Sequence, residues 1–257
     1  VTGWREAFGY GGTLMSLVIP LILAIALSKP GAANALMGIA AVVVIMMPTL
    51  TLPALIWVKE PPPQKQTESI RWARGLKIVW DNGPYRRLVF CLVFLVTAVS
   101  MTASLSFFFV QSVMGQSFET YTYFILAYYL SSAFCIPIWF VLSKHLGKHR
   151  TVVLGIVWLS LWSAFIPLMG PDQFGIFFVV MLLKGSAVGA LVFLPASMAA
   201  DVVDLDTLRT GEQRTGLYFS LWGMINKGGA ALGVFLATNL AAYYGFDPSA
   251  VENTESA

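Results

Sequence analysis

The chain has 257 residues, 57% of them hydrophobic and only 11% charged, with a formal net charge of +3. An average soluble domain carries roughly a quarter charged residues. This composition therefore excludes an intrinsically disordered protein and an ordinary soluble enzyme, whose core does not take apolar runs of this length.

Seven apolar stretches follow one another along the chain: Ala7–Leu27, Ala35–Val58, Leu88–Val113, Thr122–Leu142, Thr151–Gly170, Phe174–Ala200 and Leu217–Tyr244. Each has about 20 residues or more, enough to cross a hydrocarbon layer of roughly 30 Å at about 1.5 Å per residue. Backbone polar groups cannot be left unpaired in lipid, so these stretches are expected to be helices. The alternating segments of about ten residues that mark a membrane barrel are absent from the sequence. The expected fold class is thus all-α, a polytopic membrane bundle. Cys91 and Cys135 both lie inside apolar runs and imply no disulfide framework. The chain opens on Val1 and closes on the polar tail Val251–Ala257. These ends fit a trimmed chain or a piece of a longer membrane protein.

Sorting the cations by loop orients the bundle. Thirteen Lys and Arg fall on the side of the N-terminus, Lys29 alone falls on the other, and Lys184 and Lys227 lie inside spans. The positive-inside rule makes the first side, with the N-terminus, cytoplasmic. Localisation in a plasma membrane as a multi-pass protein follows. The one long loop, 59–87, opens on Pro61-Pro62-Pro63 and continues into an amphipathic piece, Ser69–Trp80. There Ile70, Leu76 and Val79 alternate with Arg71, Arg74 and Lys77, as in a helix lying on a membrane surface with its cations toward anionic headgroups. Such a number of basic residues is ordinary for a cytoplasmic membrane loop, so membrane lipid is the expected partner and nucleic acid is not. The loop separates two spans, residues 1–58, from five, residues 88–257.

Charged residues inside the spans mark function. An ammonium at the bilayer centre costs at least about 2.5–3.5 kcal/mol. Lys227, about ten residues into the last span, therefore points to a water-filled cavity or a carboxylate. Lys184 lies at a similar depth in the preceding span, followed by Gly185-Ser186-Ala187-Val188-Gly189, small residues that allow helices to approach closely. Trp222, five residues before Lys227 and not far from the same helix face, is a candidate to stack on a sugar. Asp201, Asp204 and Asp206 end the sixth span. Asp201 and Asp204 share a helix face. Their expected partners are Arg5, Arg209 and Arg214, as a gate of ion pairs or as a solvated helix end. No catalytic constellation is present. His145 and His149 stand at i, i+4 in a basic turn without a nearby carboxylate or Cys, a poor metal pair, and no phosphate-binding glycine loop occurs. Neither an enzyme nor a metal or organic cofactor is expected.

Two blocks resemble a known family. Ala200-Asp201-Val202-Val203-Asp204, followed by Thr210-Gly211-Glu212-Gln213-Arg214-Thr215-Gly216-Leu217-Tyr218-Phe219, is similar to the loop between spans ten and eleven of the glycoside-pentoside-hexuronide:cation symporters, a melibiose permease-like family of the major facilitator superfamily. Trp222-Gly223-Met224-Ile225-Asn226-Lys227-Gly228-Gly229 is similar to its span eleven. The resemblance implies that Lys227 serves sugar and cation binding. Val1-Thr2-Gly3-Trp4-Arg5-Glu6-Ala7-Phe8 resembles the start of span five and makes Arg5 a sugar-binding candidate. The seven spans would then match spans five to eleven of twelve. The family's cation-binding aspartates lie on spans two and four, which match nothing in this chain. Thr215 stands where the family's loop commonly has a Glu.

The expected function is secondary active transport: symport of a sugar or glycoside coupled to Na+ or H+, by alternating access about a midplane site. Arg5, Lys227, Trp222 and Lys184 are the candidates for substrate binding, and Asp201, Asp204 and Arg214 for a cytoplasmic gate. The full-length protein is expected to be a monomer. A lipid or lysolipid carrier is the alternative within the superfamily, since the spans are thin in polar side chains. A seven-helix receptor or sensor is the alternative of another class.

Overall fold

A computed structural model describes residues 9, 11–19, 22, 32–57 and 72–246. The chain divides into two compact units, Val1–Ser69 and Ile70–Ala257. In the first, residues 11–19 are helical and helix α1 spans Ala32–Trp57. Pro48 and Pro53 both lie inside α1, each removing a backbone donor. The hydroxyls of Thr49 and Thr51 donate back to the Ile45 and Met47 carbonyls at 2.8 and 2.5 Å.

In the second unit a short helix, α2, covers Trp72–Asp81, followed by α3, Gly83–Phe108. Asn82 caps α3, its side chain accepting from the Tyr85 amide at 3.2 Å, and Pro84 fills the first turn, where a missing N–H costs nothing. Arg86 and Arg87 therefore belong to the start of the helix rather than to the loop. A π-helical turn, Phe109–Val113, ends this span. Ser117 caps α4, Phe118–Leu146. Gly147, at φ +82°, turns the chain into α5, Lys148–Phe165. Helix α6 runs for 37 residues, Phe174–Thr210, through Pro195. Gly211, at φ +71°, ends it in the left-handed conformation that favours glycine after a helix. Helix α7 is Thr215–Tyr243.

Five helices are long and apolar enough to cross a membrane among the described residues: Ala40–Trp57, Gly83–Val113, Thr120–Leu146, Lys148–Leu168 and Phe174–Thr210. Two of the seven expected spans fall outside this group. Ala7–Leu27 is described only at residues 9, 11–19 and 22. The Leu217–Tyr244 stretch is helical over the expected range, but Asn226 and Lys227 at its middle lower its apolar character. The sixth span does not end at Ala200 but continues to Thr210, so the three aspartates ride on a helix instead of closing it.

Helix α6 is the most enclosed of these five, with an almost unbroken buried run from Lys184 to Ala196. It packs between α4 and α5, while α3 pairs with α7. Glycine sets both close pairings. A Cβ at Gly185 would collide with the Tyr128 carbonyl oxygen on α4, and one at Gly233 with the Thr97 carbonyl oxygen on α3. Removing side chains from these crossings brings backbones into contact, the usual source of attraction between helices in lipid.

Candidate functional site

The residues expected to bind substrate do not converge on one point in the described structure. Arg5 lies outside the described residues. Lys227 is exposed on α7, on the side that also presents Met224 and Phe235, which are 55% and 60% exposed. No ion pair reaches it among the described residues. Trp222 lies elsewhere. Five residues at about 100° each place it about 140° around the helix from Lys227. It packs against the cluster of Val79, Tyr85, Ala199, Val203 and Tyr218. Its ring therefore belongs to the contact among α3, α6 and α7. Lys184 is 3% exposed, about a third of the way along α6, and has no ion pair among the described residues. The same stretch of α6 is anchored from α4 and α5. Ser131 donates to the Leu182 carbonyl at 2.7 Å, Trp139 to the Ser186 carbonyl at 2.7 Å, and Trp158 to the Leu183 carbonyl at 2.8 Å.

The α3–α7 pair carries polar groups at the same level as Lys227. Thr97 Oγ1 donates to the Gly229 carbonyl at 3.2 Å, and Asn226 Nδ2 to the Trp222 carbonyl at 2.9 Å. These bonds are spent on the backbone. The Lys227 ammonium remains the one charged group in the middle of α7.

At the basic end of the unit the charges do pair, in a pattern different from the expected one. Asp201 meets Lys148, at 2.6 Å, and no arginine among the described residues. Arg214 lies 2.7 Å from Glu212 and 3.9 Å from Asp206. Asp204 is exposed and has no ion pair among the described residues. The reason is rotational. Asp201 points toward the α4–α5 turn, whereas Asp206, five residues on, points toward the start of α7. One connection thus ties the α4–α5 turn to α6, and the other ties the end of α6 to the start of α7.

Three residues beside this network were not apparent as partners in the sequence. Tyr85 is fully buried and donates from its hydroxyl to the Tyr218 carbonyl at 2.6 Å. The two rings meet edge to face with centroids 4.7 Å apart. Asn82 Nδ2 donates to the Tyr218 hydroxyl at 3.1 Å. A cleft of about 330 Å³ opens next to this knot, bordered by Asp81, Asn82, Asp206, Arg209 and Arg214. The Asn82-Gly83-Pro84 helix start was the only signal in the sequence that this corner is built.

Apolar membrane helices paired through glycine, a central lysine and ion pairs gathered at one end make up a transporter-like bundle. The family described as MFS/sugar transport protein matches residues 1–257. The chain belongs to this family. It is a multi-pass membrane protein of the major facilitator type, and its relatives are symporters. It is 31% identical over 171 residues to an uncharacterized symporter of Synechocystis, covering 66% of this chain and 31% of that one. It is 29% identical over 190 residues to the human sodium-dependent lysophosphatidylcholine symporter 1, covering 72% of this chain and 35% of that one. An uncharacterized Bacillus subtilis symporter, YjmB, is 23% identical over 203 residues, covering 78% and 42%. The chain spans about a third of the length of the first two relatives.

Proposed function

We propose that this chain is the part of a cation-coupled symporter that presents a lysine, Lys227, to a solute moving by alternating access. The observation that carries the reading is the placement of Lys227: mid-helix in α7, exposed and free of any ion pair among the described residues. A charge at that depth is costly in lipid and needs a water-filled cavity or a charged partner. A substrate path supplies the first, and a cation-binding carboxylate elsewhere in the protein supplies the second. Arg5 and Lys184 are proposed as further contacts to the solute. The Lys148–Asp201 and Asp206–Arg214–Glu212 connections, with Asp204 beside them, act as the latch at the basic end. That end and the linker face the cytoplasm of a bacterial cell, consistent with the 13 cations gathered on that side.

A sugar or glycoside coupled to Na+ or H+ is the first reading of the cargo. A lysolipid is the second, favoured by a specific observation: the face around Lys227 is apolar, with Met224, Val234 and Phe235 about half exposed or more. The human relative's name points the same way. Uptake of labelled sugars and of labelled lysophosphatidylcholine into vesicles bearing the full-length protein, with and without Na+ and pH gradients, separates the two. Gradient-driven uptake of one class identifies it, and gradient-independent equilibration of both overturns coupling. Lys227→Ala is expected to lower coupled uptake at least tenfold while the protein still reaches the membrane. Unchanged uptake removes Lys227 from the site.

A further inference from the structure

The two lysines inside the spans share a chemistry and differ in solvation. Lys227 is exposed and Lys184 is buried, and neither has an ion pair among the described residues. An ammonium sealed inside a membrane bundle without a counter-charge is costly. What covers it therefore matters. Phe177, Ala187, Val188 and Leu191 stand three, four or seven residues from Lys184 on α6, on the same helix face. Phe177 is stacked on Phe109, from the π-helical turn that follows α3, with centroids 5.8 Å apart. Ala187, Val188 and Leu191 form a buried cluster against which Leu95 and Val99 of α3 pack. The face that carries Lys184 is thus closed by apolar side chains of α3 and of the turn after it.

The bonding between helices marks this cover as the joint that opens. Helix α6 is tied to α4 and α5 by the side chains that donate to the Leu182, Leu183 and Ser186 carbonyls, before and after Lys184 in the chain. Helix α3 is tied instead to α7, where Thr97 and Tyr85 donate to the Gly229 and Tyr218 carbonyls. Its bond to α4, from Tyr121 to the Ala103 carbonyl, is long at 3.3 Å. Among the described residues no hydrogen bond or ion pair joins α3 to α6.

We infer that Lys184 meets the solute in one conformation only: the seam between α3 and α6, closed over it in this structure, parts during the transport cycle and uncovers it. The inference rests on the symport reading and adds a division of labour to it. Lys227 is open in the conformation described, and Lys184 is the contact made in another. A solute that reaches Lys184 only when the seam is open binds that state better, and such a difference is what lets a ligand shift a conformational equilibrium.

Native lysines report the opening. The full-length protein in proteoliposomes is reductively methylated with formaldehyde and cyanoborohydride while it takes up labelled sugar or labelled lysophosphatidylcholine under a Na+ or pH gradient. Mass spectrometry reads methylation at Lys184 and Lys227. During uptake Lys184 is expected to be methylated at least a tenth as fast as Lys227. A second arm bridges the seam with a short thiol cross-linker in Val99→Cys/Val188→Cys, with the native cysteines replaced by serine. The bridge is expected to lower both uptake and Lys184 methylation at least tenfold against each single-cysteine variant treated in the same way, and to leave Lys227 methylation unchanged. Uptake that proceeds with Lys184 unmethylated in the unsubstituted protein overturns this inference alone, whether or not the double variant folds. So does undiminished uptake through a bridged seam. Uptake in no arm overturns the symport reading itself, and this inference with it.

Discussion

The hydroxyl of Tyr85 ties α3 to α7 at the basic end. It is buried, it donates to a backbone carbonyl of α7, and its ring seats the clusters of α2, α3, α6 and α7. A buried hydrogen bond of this kind contributes about 1 kcal/mol, and more when the orphaned carbonyl stays dry. Tyr85→Phe should therefore lower stability by about 1–2 kcal/mol, read as a lower midpoint of thermal unfolding in detergent. The Lys148–Asp201 pair is a contrasting case. It is short, but its side chains are 37% and 60% exposed, so solvent screens it and its contribution is at most about 1 kcal/mol. Lys148→Gln and Asp201→Asn should each shift that midpoint by less than Tyr85→Phe does. The swapped pair Lys148→Asp/Asp201→Lys should recover the loss that either reversal alone produces. A larger loss in Asp201→Asn than in Tyr85→Phe would show that the pair is shielded by parts of the protein beyond this chain. Neither partnership was legible in the sequence. Asp201 and Lys148 stand 53 residues apart, and which basic residue an aspartate meets depends on how the α4–α5 turn lies against α6. Trp222 illustrates the same limit within one helix. Spacing of five residues reads as proximity along the chain but is a turn to another face.

At the scale of elements the hydropathy runs carried nearly all of the information. Lipid leaves a long apolar stretch no alternative to helix, so the interiors of α1 and α3 to α6 were set by composition alone. The ends were harder, because caps override hydropathy there. Asn82 and Pro84 start α3 several residues before the apolar run begins, and only Gly211 stops α6. The pairing of helices depends on glycine. Gly185→Leu and Gly233→Leu place side chains where the neighbouring backbone already stands. Each should cost about 1–3 kcal/mol or more, seen as lost expression and a lowered unfolding midpoint. Gly216→Ala, in open space on α7, should be tolerated. Equal effects at all three positions would mean that helix propensity, and not close approach, governs these sites.

For the molecule as a whole, the length of α6 has mechanical meaning. Its 37 residues make a rod of about 55 Å, well over the roughly 30 Å of a hydrocarbon layer. The aspartates therefore ride on a stiff extension that projects past the lipid. Pro195 is the weak point of that rod, since its ring removes one hydrogen bond from the helix ladder. Asp201 lies six residues beyond it, about 9 Å along the axis. A bend of about 20° at the proline, the size of an ordinary kink, would carry Asp201 about 3 Å sideways. That displacement exceeds the 2.6 Å that separates it from Lys148. The proline thus gives α6 a gear ratio: a small flexion among buried side chains becomes the making or breaking of a charge contact in water.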